Sequence, residues 1–397
     1  MRRTNGRWSK IAAVVAGLGL LVGCSDEGSP PPSTTSTAAP SSAGVPAAVE
    51  SPLREAVESY GAPGGIAMLR HGNERWGVAV GASVDGGDPA SPDMTFRIGS
   101  ITKPIVAILV LDAVDRGLVG LDDEVDDLVP GAIRPDPPVT VRMLLDHTSG
   151  IANTDDLDPA SDGARLSDPD LVAEFQRFGA AYLDGEPVVA SDGLLVGLAE
   201  THDRYFAPGA GFHYSNTNYQ LAAMVLEAAT GRSLADLIDE RIAEPLGLEH
   251  VWLAPADPTP PDLHGHALDG AGELVDVTDD LSTFGNGGSG GVVADAADLL
   301  SLLQALASGR LLPAALVAEM ERPTPQSDRS YGLGLVTYRF ACGTFVGHEG
   351  AVNGTASIAL TDEQGEDGVV IVLDRYDEPG PDLAAVAEQV VCSIPGA

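Results

Sequence analysis

Lysine is nearly missing from this chain of 397 residues: of 22 Lys+Arg, only Lys10 and Lys103 are lysine. Guanidinium keeps its proton in proteins, whereas a desolvated ammonium can release it. The arginines are therefore excluded as proton acceptors, and Lys103 is the one amine left once the first residues are set aside. Basic charge is scarce altogether. Against 58 Asp+Glu the formal net charge is −36, a surface that repels phosphate and excludes DNA and RNA as partners. Such acidity otherwise speaks for solubility, not for a substrate. The apolar stretch Ile11 to Val22 is too short for the ~20 residues a bilayer-spanning helix needs. No internal repeat divides the chain, and there are three cysteines, Cys24, Cys342 and Cys392.

Arg2, Arg3, Arg7 and Lys10 precede that apolar stretch, so residues 1–23 read as a signal peptide. Leu21-Val22-Gly23-Cys24 resembles a bacterial lipobox, which implies that Cys24 becomes the lipidated first residue of the mature protein. Residues 24–49, rich in Ser, Pro, Thr, Ala and Gly, read as a disordered tether. The expected location is the outer face of the cytoplasmic membrane, with the membrane as partner through the lipid. Without the leader the basic count is 22 − 4 = 18 against 58 acidic residues, a net charge of −40. Outside the cytoplasm Cys342 and Cys392 are candidates for a disulfide, with two separate buried thiols as the alternative.

Lys103 lies three residues after Ser100. On the first turn of a helix, positions i and i+3 share a face, so a hydroxyl and an amine come within hydrogen-bonding reach. Ile105 to Leu111 is apolar nearly all round, which predicts a buried helix. Pro104 is tolerated in its first turn and Gly117 offers its stop. A lysine on a buried helix is an unusual expense unless its amine acts as a base toward the serine.

Further along, Gly65–Arg70 and Trp76–Gly81 read as a hairpin around His71–Glu74. Helices are expected over Asp170–Leu183, Leu221–Thr230, Ser233–Ala243, Asp295–Ser308 and Asp382–Cys392. Strands are expected over Gly332–Phe340, Thr344–His348, Gly354–Leu360 and Val369–Leu373. Strands thus come from both ends of the chain with helices between. The fold class is α/β: an antiparallel sheet built from N- and C-terminal segments, flanked by helices, with an inserted mostly helical lobe. Residues 50–397 would form this two-lobed domain.

Two further constellations join the first. Tyr214-Ser215-Asn216 precedes a helix, and a nearby ammonium would favour the Tyr214 phenolate. His348-Glu349-Gly350 sits among the late strands, where Gly350 lets the backbone approach a ligand. In order and spacing, Ser100/Lys103, Tyr214/Asn216 and His348/Gly350 resemble the S-x-x-K, Y-x-N and K-T-G or H-x-G motifs of the penicillin-recognising serine hydrolases, the branch of class C β-lactamases, D-alanyl-D-alanine carboxypeptidases and related esterases. Leu144-Leu145-Asp146-His147-Thr148-Ser149-Gly150, Phe206-Ala207-Pro208-Gly209, Gly290 to Leu299 and Tyr331-Gly332-Leu333-Gly334 extend the likeness over about 95–355. The resemblance implies a β-lactamase/transpeptidase-like fold with no metal or cofactor. It also implies Ser100 as acylated nucleophile, Lys103 as base or relay, Tyr214 as second acid/base, and Asn216 and His348 as substrate-binding groups. The N–H of Ala351, after Gly350, would complete an oxyanion hole with that of Ser100. Whether Lys103 or Tyr214 takes the first proton stays open.

The third motif departs from the family by carrying Glu349 in place of threonine or serine, and the segment 151–205 is long. A glutamate there opposes a substrate carboxylate, and histidine removes a fixed positive charge at neutral pH. The expectation is an extracytoplasmic serine hydrolase for a small molecule or a peptidoglycan peptide. It would act as a D-alanyl-D-alanine carboxypeptidase or in β-lactamase-like amide hydrolysis. The alternatives are a neutral-ester esterase and a penicillin-binding module without turnover. Two rival sites are weaker. Gly287-Gly288-Ser289-Gly290-Gly291 satisfies G-x-S-x-G, but polar residues precede it where a buried strand is required. His264 and His266 lack a visible ligand cluster.

Overall fold

The computed structural model describes residues 47–157, 162–183, 189–254, 259–279, 287–328 and 330–393. The expected signal peptide, Cys24 and most of the expected tether lie outside them. Among the described residues the strands are β1 (Gly64–His71), β2 (Glu74–Gly81), β3 (Phe96–Arg97), β4 (Val251–Leu253), β5 (His266–Leu268), β6 (Leu274–Asp276), β7 (Val292–Ala294), β8 (Val336–Phe340), β9 (Gly343–Val352), β10 (Thr355–Asp362) and β11 (Asp367–Leu373). Six form one antiparallel sheet in the order β2-β1-β11-β10-β9-β8. The two ends of the chain meet where β1 pairs with β11, Gly65 opposite Leu373. This is the mixed α/β architecture that the order of strands along the chain predicts.

Alternate residues on each strand face opposite ways, and both faces are covered. Ala67, Leu69, Ile358, Leu360, Ile371 and Leu373 pack with Val49 and Leu53 of the helix Ala47–Tyr60 and with Leu383 and Val390 of the helix Leu383–Val391. Their neighbours Ile66, Met68, Ala359, Val370 and Val372 join the larger core shared with the Thr102–Asp115 and Ala296–Ala307 helices and the inserted lobe. Each Val, Leu, Ile or Met among them contributes about 1.5–3 kcal/mol by leaving water, so the sheet is the slab on which both layers rest. Among the described residues no helix is long and apolar enough to cross a membrane.

The first helix begins at Ala47, ahead of the compositional boundary at residue 50, because Val49 and Leu53 are fully buried against the sheet. The helix expected from Leu221 begins at Asn216. Its first turn is held by tertiary bonds, Thr217 Oγ1 to the Ala152 carbonyl at 2.7 Å and the Asn216 N–H to Asn153 Oδ1 at 2.9 Å, with no capping side chain from Ser215. Of the expected strand Gly332–Phe340 only Val336–Phe340 forms, since Gly334 turns the chain at φ +85°. Cys342, at the β8–β9 turn, is disulfide-bonded to Cys392 at the end of the last helix, Cα–Cα 5.3 Å.

Candidate active site

Ser100 sits in a short 3₁₀ turn, Gly99–Ile101, that runs straight into the Thr102–Asp115 helix. Pairing fixes the turn from two sides. β3 pairs with β7, the Ile98 N–H bonds the Val292 carbonyl at 3.1 Å, and Thr102 Oγ1 accepts from the Val292 N–H at 3.1 Å. On the other side Thr355 Oγ1 and Ser357 Oγ of β10 donate to the Arg97 and Ile98 carbonyls at 3.0 and 3.1 Å. β9 passes so close that a Cβ on Gly350 would lie 2.0 Å from the Ile98 carbonyl oxygen. A Cβ on Gly99, whose φ is +53°, would lie 2.9 Å from the Ala351 nitrogen. The backbone nitrogen of Ala351 is therefore brought beside the serine turn.

Lys103 is fully buried. Its Nζ lies 2.8 Å from Ser100 Oγ, 2.7 Å from Asn216 Oδ1 and 2.8 Å from the Ser289 carbonyl oxygen. Burial lowers its pKa from 10.5 to about 7, against an opposing pull from the Asp155 carboxylate. A neutral amine has two N–H donors and one lone pair. Asn216 Oδ1 and the Ser289 carbonyl can only accept, so they take both N–H groups and leave the lone pair for the Ser100 hydroxyl. The orientation of the Asn216 amide is itself determined. Its Nδ2 donates to Asp155 Oδ2 at 2.8 Å, and because a carboxylate only accepts, Oδ1 must face the lysine. One of the amide's two lone-pair sites and one of its two N–H groups are thus spent within the protein.

Tyr214 lies over the same centre, with Lys103 Nζ 4.8 Å from its ring centroid and its hydroxyl in a hydrogen bond with Ser100. Contrary to the expectation of a phenolate favoured by the ammonium, its pKa is raised. Burial dominates, and Asp155 and Glu349 add repulsion. Desolvation outweighs one nearby cation when two carboxylates also face the ring.

His348 is buried at the strand position expected, with both ring nitrogens engaged. Beneath it, His147 Nδ1 faces the Ser215 N–H at 3.2 Å and Asn218 Nδ2 at 3.1 Å. His147 Nε2 therefore carries the proton and donates to Tyr331 Oη at 3.2 Å. The Tyr331 hydroxyl donates to His348 Nε2 at 3.1 Å, and His348 Nδ1–H donates to the Glu349 carbonyl. Burial and then Lys103 push the His348 pKa down to about 3, and burial lowers that of His147 well below its usual value. The chain His147–Tyr331–His348 is neutral, so His348 offers neither a positive charge nor an unused ring nitrogen. Glu349, the next residue, is exposed and accepts from Tyr338 Oη at 3.2 Å. Partial burial of its carboxyl raises its pKa, against the Tyr338 hydrogen bond.

Three functional features escaped the sequence reading. The Ser289 carbonyl on Lys103 lies in the stretch that imitates a nucleophile elbow. Here it is a buried 3₁₀ turn, Gly287–Ser289, followed by strand β7 instead of a helix. The His147–Tyr331 pair sits inside recognised segments, but pairing across 184 residues leaves no local trace. Asp155 belongs to the long segment of unassigned role. His264 and His266 face different partners, Asp276 Oδ2 at 2.6 Å and the Asp374 carbonyl at 2.9 Å.

The chain is 30% identical to the solved D-stereospecific amidohydrolase from Streptomyces sp., with TM-score 0.72 over 88% of this chain and 99% of that one. The D-amino acid amidase from Ochrobactrum anthropi SV3 shares the fold at 24% identity, TM-score 0.72, over 87% and 97% of the two chains. In sequence, esterase EstB of Burkholderia gladioli is 35% identical over 211 residues, 49% of this chain and 48% of that protein. A D-aminopeptidase of Brucella anthropi is 26% identical over 317 residues, 77% of this chain and 55% of that protein. The chain thus spans about half the length of these two curated relatives. A Beta-lactamase family profile matches residues 49–391, from the first helix of the domain to the last, and the chain belongs to that family of penicillin-recognising serine hydrolases.

Proposed function

We propose that the protein hydrolyses amides or esters lacking a free carboxylate, through an acyl-enzyme on Ser100. The observation that carries this reading is the buried amine of Lys103, 2.8 Å from Ser100 Oγ with its lone pair left for that hydroxyl. In the acylation step Lys103 accepts the Ser100 proton while Oγ bonds to the substrate carbonyl carbon. The backbone N–H groups of Ser100 and Ala351 receive the oxyanion. The proton then passes through Lys103 and Tyr214 to the leaving group as its bond to carbon breaks, and water returns the serine by the reverse path. Lysine is the first acceptor in this scheme because Tyr214, with its pKa raised by burial, holds its proton at neutral pH.

The leaning away from carboxylates rests on the cleft's charge. His348 is neutral, and Asp155 and Glu349 are the charged groups acting on Tyr214. A D-Ala-D-Ala peptide or a penicillin would bring its own anion into that field. The Streptomyces relative's description as a D-stereospecific amidohydrolase supports the amide side. Lipid anchoring at Cys24, with the domain outside the cytoplasmic membrane, is part of the proposal. It is supported by the basic and apolar leader and by a disulfide of the kind that persists in oxidising compartments.

Intact-mass measurement after mixing with an activated neutral ester and with penicillin tests the reading. A transient acyl adduct on Ser100, absent in Ser100→Ala, is expected with the ester. A permanent adduct would make the protein a binder, and no adduct with either would remove the acyl-enzyme.

A further inference from the structure

The stretch Gly287-Gly288-Ser289-Gly290-Gly291 imitates a nucleophile elbow, but what it supplies is a carbonyl, that of Ser289, which accepts from Lys103 Nζ at 2.8 Å. Four of its five residues are glycine, the residue that loses most freedom on ordering. The direction of the carbonyl must therefore be imposed from outside. Part of the frame is backbone. The Gly291 N–H closes back on the Gly287 carbonyl at 3.0 Å, and the Gly291 carbonyl accepts from the Ala254 N–H at 2.8 Å. The helix Asn216–Thr230 lies against the turn so closely that a Cβ on Gly288 would lie 2.5 Å from the Tyr219 carbonyl oxygen.

A further support comes from the long segment 151–205. Asp192 opens the helix Asp192–Ala199, which is capped by Ser191 Oγ accepting from the Leu194 N–H at 3.0 Å and anchored by buried Leu194 and Leu195. Asp192 Oδ2 accepts from the Gly288 N–H at 3.3 Å. Its Oδ1 is buried without a hydrogen-bond partner, and a Cβ on Gly287 would come within 2.5 Å of it. The peptide joining Gly287 to Gly288 is thus gripped from both sides, its N–H by Asp192 and its carbonyl by Gly291. The loop closed by that second bond contains Ser289. An unpaired carboxylate oxygen in the interior is costly and calls for a reason. Burial raises the Asp192 pKa to about 7, yet in either protonation state an oxygen is left to accept from Gly288.

We infer that Asp192 is a positioning residue for the Lys103 base, holding the Gly287–Gly288 peptide so that the Ser289 carbonyl stays on Nζ. This rests on the acyl-enzyme reading above. With that carbonyl in place, Lys103 spends its two N–H groups on Ser289 and Asn216 and aims its lone pair at Ser100. When the carbonyl swings away, the freed N–H turns to Ser100 Oγ, which can accept it, and the lone pair no longer faces the hydroxyl proton. The same loss removes an acceptor that favours ammonium over amine, so the lysine's pKa falls further. A general loosening does the reverse, because water admitted to Lys103 moves its pKa back toward 10.5.

The test is single-turnover acylation by a neutral activated ester from pH 5 to 9, with active sites counted separately by the leaving-group burst under excess ester. Asp192→Ala should lower the plateau rate on the order of 10²-fold, the cost of an ångström-scale misplacement, with little change in the ester concentration at half-saturation. It should also move the midpoint of the acid limb below that of wild type. Asp192→Asn keeps an oxygen for the Gly288 N–H and should recover most of both losses. Gly287→Ala, strained at φ +82° and driven against Asp192 Oδ1, should behave like Asp192→Ala and decides the matter if that variant does not fold. Wild-type acylation in either variant overturns the inference. So does a slower rate whose midpoint stays or rises, which is structural loss alone. Asp192→Asn falling as far as Asp192→Ala also overturns it, since the charge would then be the cause. Failure of the wild type itself to form a Ser100 adduct fails the acyl-enzyme reading instead.

Discussion

Acidifying the protein from pH 8 to pH 5 should silence acylation along one proton-binding curve centred near 7. Ser100 needs the free amine of Lys103, and burial lowers that amine's pKa to about 7. A single site of that pKa is about 90% free base at pH 8, about 10% at pH 6 and about 1% at pH 5. Left at 10.5, roughly one lysine in a thousand would be deprotonated at pH 7.5, so burial is worth nearly a thousandfold in competent enzyme. A fall from 10.5 to about 7 weighs about 5 kcal/mol against the ammonium. The folded state binds fewer protons than the unfolded chain between those two pH values. Stability must therefore rise with pH across that window, and the lysine's penalty is fully felt below 7. The assay is single-turnover acylation by a neutral activated ester between pH 5 and 9, read as leaving-group release and checked by mass. The rate should gain tenfold per pH unit below 7 and level off above it. Lys103→Arg should lose 10²–10⁴-fold, because guanidinium cannot take the proton. Asp155→Asn should move the midpoint down, because the Asp155 charge raises the lysine's pKa. A rate flat from pH 6 to 9, or a limb persisting unchanged in Lys103→Arg, would refute the reasoning.

Three other outcomes are expected. Tyr214→Phe removes the hydroxyl bonded to Ser100 and should lower acylation about 10²-fold while leaving the acid limb in place; full activity in stopped-flow acylation would end its proposed part in proton transfer. Glu349→Thr takes a carboxylate out of the cleft and should raise turnover of nitrocefin or a D-Ala-D-Ala peptide several-fold, with an unchanged or lower rate counting against the electrostatic account. Replacing Cys342 and Cys392 by serine opens a loop with a sequence separation of 50 and should cost about 4 kcal/mol in the chain-entropy model. Urea denaturation of the double variant measures that loss, and an unchanged midpoint would show that the bridge constrains little.

The sheet was legible because its central strands are short apolar runs, buried on both faces, and its hairpin carries a turn, so β1, β2 and β9 to β11 could be placed from pattern alone. The lobe was less so. The Asn216 turn is helical on the strength of bonds to Ala152 and Asn153, contacts from some sixty residues away in the chain that no local propensity encodes. The Ser100–Lys103 pair was readable because it is local: three residues on one turn, followed by an apolar helix. The charge state of its partners was not. Tyr214 looked like a phenolate beside an ammonium until burial and two carboxylates were weighed. His348 looked like a binding group until Tyr331 and the Glu349 carbonyl were found on its two nitrogens.

That neutral histidine bears on why the lysine works. The proton order along His147, Tyr331 and His348 is fixed at one end by two donors to His147 Nδ1 and at the other by the Glu349 carbonyl. A second proton on His348 would place an N–H against the Tyr331 hydroxyl and strip that hydroxyl of its acceptor. It would also set another cation near Lys103, whose own charge already pushes the His348 pKa down. Burial, and after it the Lys103 charge, thus keep His348 uncharged through the range in which Lys103 titrates, against the bond to the Glu349 carbonyl, which favours its charged form. A lysine at position 348 would offer a carboxylate anchor, as the K-T-G form of the motif resembled here suggests, but would add a positive charge to the same cleft. With histidine in that place and glutamate beside it, the one titrating cation is the base itself, and the remaining field is negative. With that sign, the field of Asp155 and Glu349 opposes a substrate carboxylate, which is why the proposed reading turns away from D-Ala-D-Ala peptides and penicillins.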